Sequence, residues 1–366
     1  MNGNAGFWQR FDYILLGATL FLIMFGILEI RSATYGAIDP DIISRVPDQI
    51  LYAVIGLFLV FALAAVDYRL LGGIHLWLYL LMVGLLILVL VLGSIGDAGA
   101  RRWINLGIRV QPSEIGKIIV IITLGTYLAK RYERIDRIPV LLGSIVHLGI
   151  PAGLVLLQPD LGTTIVFGVI WAALVWSAGL RLKHIGMVLL VLVIAVPIAW
   201  PRMPDYMQSR ITTFISPASD PDAFYNINQA LISIGSGGVF GKGYSAPDTQ
   251  NRLRFLRVRH TDFIFSVISE EFGMVGGIAV MSIIGLVIMR VLRGARLALD
   301  PLGSMICYGV AAMIFFQTTV SIGMNLNLLP VTGLTLPFVS SGGTSLLSML
   351  AGIGLAQSVI IRRRRV

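Results

Sequence analysis

Asp262 is the residue of this sequence whose neighbours best suit acid–base chemistry. It stands in the stretch RHTDFIFSVISEEFG, where three acids and two bases meet an apolar run. If a helix begins at Asp262, then Ser266, Ser269 and Glu270 lie on the same face as its carboxylate. Polar stripes inside a membrane span normally line cavities. We therefore predict that Asp262 is a general base at the mouth of a cavity; the alternative is that it only caps the helix.

The residues around Asp262 that suit an anionic substrate are mostly basic. Arg259 and His260 directly precede it, and Lys242 lies in the glycine-rich stretch IGSGGVFGKG. Backbone N–H groups of such a loop, together with a lysine, can hold a phosphate. We predict substrate contacts for Lys242, Arg259, His260 and Glu270, although glycine-rich loops are also common as flexible connectors.

A second basic group lies in the stretch GDAGARRWINLGIRVQPSEIGK. Arg101, Arg102 and Arg109 precede an apolar run that begins with Glu114 and Lys117, three residues apart on one helical face. The arginines either bind an anionic substrate or pair with membrane phosphates or a nearby aspartate. Ionisable groups inside a span cost about 2.5–3.5 kcal/mol each and face a cavity or one another. Glu114 and Lys117 are therefore either substrate contacts or a structural ion pair.

Asp160 lies in the stretch QPDLGT, which joins two apolar runs through a tight turn. Its carboxylate is a further candidate substrate contact. Aspartate is also a preferred helix N-cap, and Thr163 stands three residues further on, where a capped residue would be. Both interpretations stay open.

Membrane-spanning helices must position these residues. The 366 residues are 56% hydrophobic and 13% charged, and apolar runs long enough to cross a bilayer recur along the chain. The runs are continuous and do not alternate, which excludes an outer-membrane barrel. We predict a single all-α, polytopic membrane domain over residues 1–366, with a long extracytoplasmic loop at about 202–262 between the seventh and eighth of ten spans. The predicted spans are 13–31, 49–66, 75–93, 113–130, 139–157, 161–179, 185–201, 263–289, 303–323 and 342–361.

The distribution of basic residues orients these spans. Lysines and arginines concentrate in the short segments on the side that also holds both termini, and such segments face the cytoplasm. Both termini are therefore predicted to be cytoplasmic, with Asp262 on the opposite side. The net charge of +9 reflects this orientation and contact with membrane lipids, and it does not indicate nucleic-acid binding.

No transition-metal site is expected. Cys307 is the only cysteine, and the four histidines lack the i, i+4 spacing of a zinc-binding helix. Since no glycine-rich motif follows a strand pattern, nucleotide binding is not expected either.

Six blocks of the sequence resemble those of the SEDS family of bacterial cell-wall polymerases (shape, elongation, division and sporulation proteins). They follow family order and spacing along nearly the whole chain. Two positions depart from the family pattern: Arg257 and Val258 replace a usual Pro-Glu, and Ser341 replaces a usual tyrosine. The first departure puts in doubt any mechanism in which that acid assists Asp262. The blocks are RRWINLGIRVQPSEIGK, QPDLGTT, DYMQSR, IGSGGVFGKG, RHTDFIFSVISEEFG and LPVTGLTLPFVSSGG.

The resemblance implies an inverting peptidoglycan glycosyltransferase that polymerises lipid II at the outer face of the bacterial cytoplasmic membrane, with the elongation branch favoured over the division branch. In the family the aspartate of the HTDFIF block, here Asp262, is the essential candidate base. Glu114, Lys117 and Asp160 match functionally important positions. The implied partner is a class B penicillin-binding protein. No cofactor is certain, although a divalent cation such as Mg²⁺ suits a pyrophosphate substrate.

Two other classes of function stay open. A transporter of the lipid-linked precursor would also have broken helices and charges within the membrane. The acids here, however, are predicted at the outer mouth and not at the midplane. A non-catalytic scaffold would use its polar loops for partner binding alone, and it has no need of Glu114 and Lys117 inside the membrane.

Overall fold

The protein is almost entirely helical. The computed structural model describes residues 8–37, 39–95, 101–105, 107, 109–179, 186, 200–217, 220–253, 255–256 and 259–363. Within these ranges eight helices are long and apolar enough to cross a membrane, and Leu161–Ser177 is a shorter apolar helix. The predicted all-α, polytopic membrane fold is therefore confirmed.

Three small strands lie between two of the helices and pair antiparallel in the order β1–β2–β3. The strands are β1 Ser94–Ile95, β2 Arg101–Asn105 and β3 Arg109–Val110. The α-helices are α1 Tyr13–Thr34, α2 Pro40–Ile43, α3 Arg45–Ala65, α4 Tyr68–Gly73, α5 His75–Leu92, α6 Pro112–Ala129, α7 Ile138–Leu156, α8 Leu161–Ser177, α9 Asp205–Ile215, α10 Pro221–Gly237, α11 Ile264–Leu297, α12 Pro301–Asn325 and α13 Gly343–Ile361.

Each predicted span that falls on described residues coincides with a helix, and the boundaries differ by at most four residues except in the eighth span. That span was predicted as 263–289, whereas α11 Ile264–Leu297 ends eight residues later. The seventh predicted span, 185–201, lies almost wholly outside the described residues. The segment 202–262, predicted as a loop, contains α9 and α10. Both helices are short and carry more polar residues than the spans, so they do not meet the length and apolarity criteria for a membrane helix.

α11 is interrupted at Gly273, where the backbone has φ +67° and ψ −164°. L side chains rarely adopt this φ, and a Cβ there would lie 2.4 Å from the backbone nitrogen of Gly241. On the same side, the Gly243 N–H donates to the Glu271 carbonyl at 2.9 Å. The glycine-rich segment 237–243 therefore packs, backbone against backbone, on the interrupted turn of α11.

α6 and α13 form the interior of the helix bundle. In their apolar windows 83% and 89% of the residues are buried, against 17% in α5. α13 also approaches α3 closely: a Cβ at Gly354 would lie only 3.0 Å from the backbone of Val60. Small residues allow such close contact between membrane helices, which have no hydrophobic driving force toward each other in lipid. Charged residues on α6 are thereby kept away from lipid.

Candidate active site

Asp262 lies in the turn before α11, whose first helical residue is Ile264. The N-cap position of α11 belongs to Phe263, and no side chain caps this helix. The alternative that Asp262 serves as a helix cap is therefore wrong. Its half-buried carboxylate is available for another role.

Buried polar side chains hold the backbone on both sides of Asp262. Asn325, at the end of α12, donates from Nδ2 to the Asp262 carbonyl at 2.9 Å and accepts from Ser266 Oγ at 2.6 Å. Ser340, in the loop before α13, donates from Oγ to the Thr261 carbonyl at 2.8 Å. These bonds join the turn to two other parts of the bundle, which restricts the positions open to the carboxylate.

The sequence analysis missed both Asn325 and Ser340. Asn325 ends an apolar run, and an amide buried in a span costs free energy unless it is hydrogen-bonded. That cost was a signal available from the sequence. Ser340 carries no comparable signal, because serine is common in loops.

Arg210 of α9 is the base whose charge acts on the Asp262 carboxylate. Arg210 Nη1 and Asp262 Oδ2 lie 3.5 Å and 3.9 Å from the point that a Cβ on Gly333 would occupy, so both border the same small space. Burial raises the pKa of Asp262, while the Arg210 charge and a hydrogen bond with Thr261 oppose part of that rise. A carboxylate with a raised pKa is a stronger base than an exposed aspartate.

A small cleft beside Arg210 includes two of the predicted substrate contacts. Its walls include Arg102 from β2, Asp160 from the turn before α8, and Thr332, the chain neighbour of Gly333. Residues far apart in the sequence are therefore brought together next to Asp262. The remaining wall residues are Pro159, Leu161, Met207, Ile211, Pro330 and Val331.

The three arginines of the second basic group have different contacts. Arg102 donates from Nε to the Gln158 carbonyl at 2.9 Å. Arg101 donates to the carbonyl of a residue in α5 at 3.1 Å. Arg109 Nη2 lies 3.6 Å from Asp41 Oδ2, and both side chains are exposed. Of these three arginines, only Arg102 is in the cleft wall.

Asp160 caps α8, as its alternative interpretation predicted. Oδ1 accepts from the Thr163 N–H at 3.1 Å, and Oδ2 accepts from Thr163 Oγ1 at 3.0 Å. Oδ2 also accepts from Gln111 Nε2 at 2.9 Å. These bonds hold the carboxylate in the cleft wall, so the cap role and a substrate contact are compatible.

Glu114 and Lys117 form an ion pair inside the bundle. Glu114 Oε2 lies 2.6 Å from Lys117 Nζ and accepts from Ser348 Oγ on α13 at 3.2 Å. The Lys117 side chain is fully buried, and neither residue is in the cleft wall. This geometry agrees with the structural ion pair. Glu114 follows Gln111, which bonds Asp160 of the cleft wall, by three residues, so Glu114 lies about one helical turn from that bond.

Lys242 and Glu270 are brought together, and they contact each other. Lys242 Nζ lies 3.0 Å from Glu270 Oε1 and donates to the Asp248 carbonyl at 3.2 Å. The backbone N–H groups of Gly241, Lys242 and Gly243 donate to protein carbonyls at 2.8–3.0 Å. The donors predicted to hold a phosphate are therefore engaged within the protein: those of Lys242 and Gly243 bond α11, and that of Gly241 bonds the Gly237 carbonyl.

Arg259 and His260 are both buried. Arg259 donates from Nη1 to the Leu256 carbonyl at 3.1 Å and from Nε to the Ala33 carbonyl. Burial lowers the pKa of His260 to about 4, and the charges of Arg45 and Arg259 act in the same direction. His260 is therefore neutral at neutral pH and brings no positive charge to a substrate.

Among the described residues, no group of three or more His, Cys, Asp or Glu side chains is arranged to hold a metal ion. Cys307 is buried in α12. Arg257 and Val258, which depart from the pattern of the SEDS blocks, lie outside the described residues.

Comparison with known proteins relates this chain to an established family. The sequence profile of the FtsW, RodA and SpoVE family, described as cell cycle proteins, matches residues 12–365. The chain belongs to the FtsW/RodA/SpoVE family. This is the SEDS family that the six sequence blocks predicted, so that prediction is confirmed.

Members of the FtsW/RodA/SpoVE family match almost the whole chain. The peptidoglycan glycosyltransferase MrdB of Escherichia coli K12 is 35% identical over 365 residues, which cover 98% of this chain and 96% of that protein. The crystal structure of the rod shape determining protein RodA of Thermus thermophilus has a TM-score of 0.73 at 32% identity and covers 98% and 99% of the two chains. A chain from a peptidoglycan synthase complex that coordinates polymerization and crosslinking has a TM-score of 0.82 at 31% identity, covering 97% and 99%. The predicted enzyme class, a glycosyltransferase of cell-wall synthesis, is confirmed.

Exchanging Asn325 for alanine tests whether the hydrogen bonds around Asp262 matter to this family's chemistry. Asn325→Ala removes the donor to the Asp262 carbonyl and the acceptor of Ser266. We expect glycosyltransferase activity to fall by about 10²-fold through misplacement of the carboxylate. Stability should fall by about 1–3 kcal/mol, because buried groups lose their partners. Activity at saturating substrate and the melting temperature in detergent measure the two effects.

The matched control is Thr319→Ala on the same helix, since among the described residues the Thr319 hydroxyl bonds only the Phe315 carbonyl of α12 itself. This variant should keep full activity. A stable Asn325→Ala protein with native activity would contradict the positioning role.

Proposed function

We propose that this chain is a peptidoglycan glycosyltransferase that polymerises lipid II into β-1,4-linked glycan during cell elongation. The single observation that supports this most is the position of Asp262, whose half-buried carboxylate adjoins Arg210 next to a cleft containing Arg102 and Asp160. The names of the relatives support the same conclusion: one is a peptidoglycan glycosyltransferase and another is a rod shape determining protein.

The proposed reaction is an inversion at the sugar C1 of lipid II. A 4-hydroxyl of the acceptor attacks C1, and the bond between C1 and the pyrophosphate oxygen breaks. The Asp262 carboxylate accepts the hydroxyl proton, and the bonding electrons leave with the pyrophosphate. The raised pKa of Asp262 suits this role, because the base then holds the proton more strongly than an exposed aspartate.

Positive charge beside Asp262 would stabilise the departing pyrophosphate. Arg102 and Arg210 are in the cleft wall, and arginine binds phosphate oxygens in a bidentate manner. Arg101, Arg109 and Lys117 were predicted for the same role, but their described contacts lie elsewhere. A divalent cation such as Mg²⁺ is an alternative source of this charge, brought in with the phosphates of the substrate.

The proposal includes an orientation and a partner. Both termini face the cytoplasm, and Asp262 faces the opposite side, where the positive-inside rule leaves the fewest bases in short loops. The partner is a class B penicillin-binding protein, which would crosslink the glycan. One similar solved chain belongs to a peptidoglycan synthase complex, which supports this choice.

The test is glycan formation from purified lipid II by this protein in detergent, alone and with its class B penicillin-binding protein. Polymer made by the native chain would support the proposal. Transport of lipid II across vesicles without polymer would favour the precursor transporter instead. Neither activity in the presence of the partner would favour the scaffold.

Arg210 provides a pH test of the base assignment. Asp262 acts as a base only when deprotonated, so activity is lost as the pH falls through its pKa, which burial raises. The charge of Arg210 lowers that pKa, and Arg210→Gln removes it. We expect the acid limb of kcat/KM to move to higher pH in this variant.

The control for the pH profile is Arg134→Gln, which changes an exposed arginine. Its acid limb should match that of the native chain. An acid limb in Arg210→Gln that stays in place, or moves to lower pH, would argue against Asp262 as the titrating base.

A further inference from the structure

A second group of buried polar residues lies between α1 and α11, apart from the cleft. It consists of Glu29 and Ser32 of α1, Glu271 of α11 and Asn251 of the connecting segment, and we call it the Glu29 cluster. Glu29 is fully buried, Glu271 is 1% exposed and Asn251 is 2% exposed. The cluster is not in the cleft wall, and the reaction proposed for Asp262 does not use it.

Hydrogen bonds join three members of the Glu29 cluster. Glu271 Oε1 accepts from the Ser32 hydroxyl and from Asn251 Nδ2, the latter at 3.3 Å. Asn251 Nδ2 also lies 3.5 Å from Ser32 Oγ. The fourth member, Glu29, stands three residues before Ser32 on α1, and its carboxylate interacts electrostatically with that of Glu271. Two acidic groups therefore meet at one place inside the bundle.

Several oxygen atoms of the Glu29 cluster have no hydrogen-bond donor among the described residues. They are both carboxylate oxygens of Glu29 and Oδ1 of Asn251. The Glu271 carboxylate also interacts with the Ser245 backbone N–H. The Asn251 amide cannot simply be turned over, because its oxygen would then face the carboxylate and hydroxyl oxygens that its nitrogen now contacts. Within the described part of the chain, no ion pair joins Glu29 or Glu271 to a base.

Buried carboxylates must be neutralised, by a proton or by a cation. Protons neutralise both carboxylates only if Glu29 and Glu271 each carry one, and the two carboxyl groups then provide two hydrogen-bond donors. A cation coordinated by several of these oxygens would provide a partner for more than one of them. Carboxylate, amide and hydroxyl oxygens are hard ligands of the kind that Ca²⁺ and Mg²⁺ take, and two carboxylates balance a charge of two.

We propose that the Glu29 cluster binds a divalent cation, Ca²⁺ or Mg²⁺, through the carboxylates of Glu29 and Glu271 and the amide oxygen of Asn251. This would be a structural cation site, separate from any cation that accompanies the substrate. It requires no assumption about the reaction at Asp262.

The site would fix the segment that leads from the glycine-rich loop toward Asp262. Tyr244 of this segment donates from its hydroxyl to the Leu28 carbonyl at 3.0 Å, and the Arg252 guanidinium lies 3.7 Å from the centre of the Tyr35 ring. These contacts tie both ends of the segment to α1 or to the turn after it. Asn251 lies between Tyr244 and Arg252 in the sequence. A cation bound to Asn251, Glu29 and Glu271 would link this segment to both α1 and α11.

Cation binding is tested on the full-length protein in detergent. The native chain is treated with EDTA and desalted, and Ca²⁺ or Mg²⁺ binding is then measured by equilibrium dialysis and elemental analysis. We expect about one cation per chain, because one divalent cation neutralises two carboxylates. We also expect a higher melting temperature when the cation is returned. Glu29→Gln and Glu271→Gln should each weaken binding at least tenfold and remove the effect of the cation on melting. The exposed acid Glu133 supplies the control, since Glu133→Gln should bind as the native chain does.

Two results would overturn the proposal. One is a native chain that binds no more cation than Glu29→Gln and melts at the same temperature in EDTA, Ca²⁺ and Mg²⁺; the two carboxyl groups would then share protons. The other is full binding in both glutamine variants, which would put the cation elsewhere. If a glutamine variant fails to fold, Asn251→Ala removes one ligand oxygen and leaves both carboxylates in place. Native affinity in Asn251→Ala would then count equally against the proposal.

Discussion

Asp262→Asn is expected to abolish measurable glycan synthesis while leaving the protein folded. Asparagine has nearly the same shape as aspartate, but its amide does not accept the proton of an attacking hydroxyl. The bonds from Ser340 and Asn325 to the turn use the carbonyl groups of Thr261 and Asp262, so the substitution leaves these two bonds in place. General bases contribute about 10²–10⁴-fold to rate, and we expect a loss in that range or greater. Polymer length and amount from purified lipid II measure it.

The matched control for this exchange is Asp39→Asn. Asp39 is exposed and caps the short helix α2 through its side chain, a role that asparagine fills equally well. This variant should polymerise as the native chain does. An Asp262→Asn protein with full activity would show that another group takes the proton.

Lys117→Met is expected to be the most destabilising single exchange on α6. It leaves the Glu114 carboxylate buried in the bundle interior without the ammonium group that lies 2.6 Å away. Removing one partner of a buried ion pair costs about 3–5 kcal/mol, because the other charge stays uncompensated. The melting temperature in detergent and the yield of folded protein from membranes measure this loss.

The double variant Glu114→Gln with Lys117→Met separates a structural role from a chemical one. Replacing both charges removes the uncompensated carboxylate, so most of the lost stability should return. If the ion pair only holds α6 against α13, activity should return together with stability. A stable but inactive double variant would mean that the charges themselves are needed for the reaction, and a double variant as unstable as Lys117→Met would contradict the ion-pair argument.

The membrane helices were predictable because the criteria for them are local. A continuous apolar run of sufficient length must form a helix in lipid, since every backbone polar group has to be bonded within the segment. The runs beginning near Tyr13, His75 and Gly343 therefore became helices close to their predicted limits. α9 and α10 were missed for the converse reason, because a more polar segment is under no such requirement to form a helix.

Several candidate residues were also predictable from the free-energy cost of placing a charged side chain among apolar residues. Asp160, Glu114 and Lys117 stand out because a charged side chain among apolar residues is expensive unless something compensates it. The same argument identifies Glu29, which the sequence analysis passed over although it lies within the first apolar run. The compensating partners cannot be derived in this way, because they come from other helices.

The sequence alone determined the helical membrane fold and the family and selected Asp262 as the candidate base, since each depends on the type and order of neighbouring residues. Only the tertiary structure decided that Arg210 and Arg102 meet near Asp262, that Asn325 holds the Asp262 backbone, and that Lys242 pairs with Glu270. These pairings join helices and loops that are distant along the chain. Their partners are selected by how the helices pack, and packing depends on close contacts such as that of Gly354 with Val60.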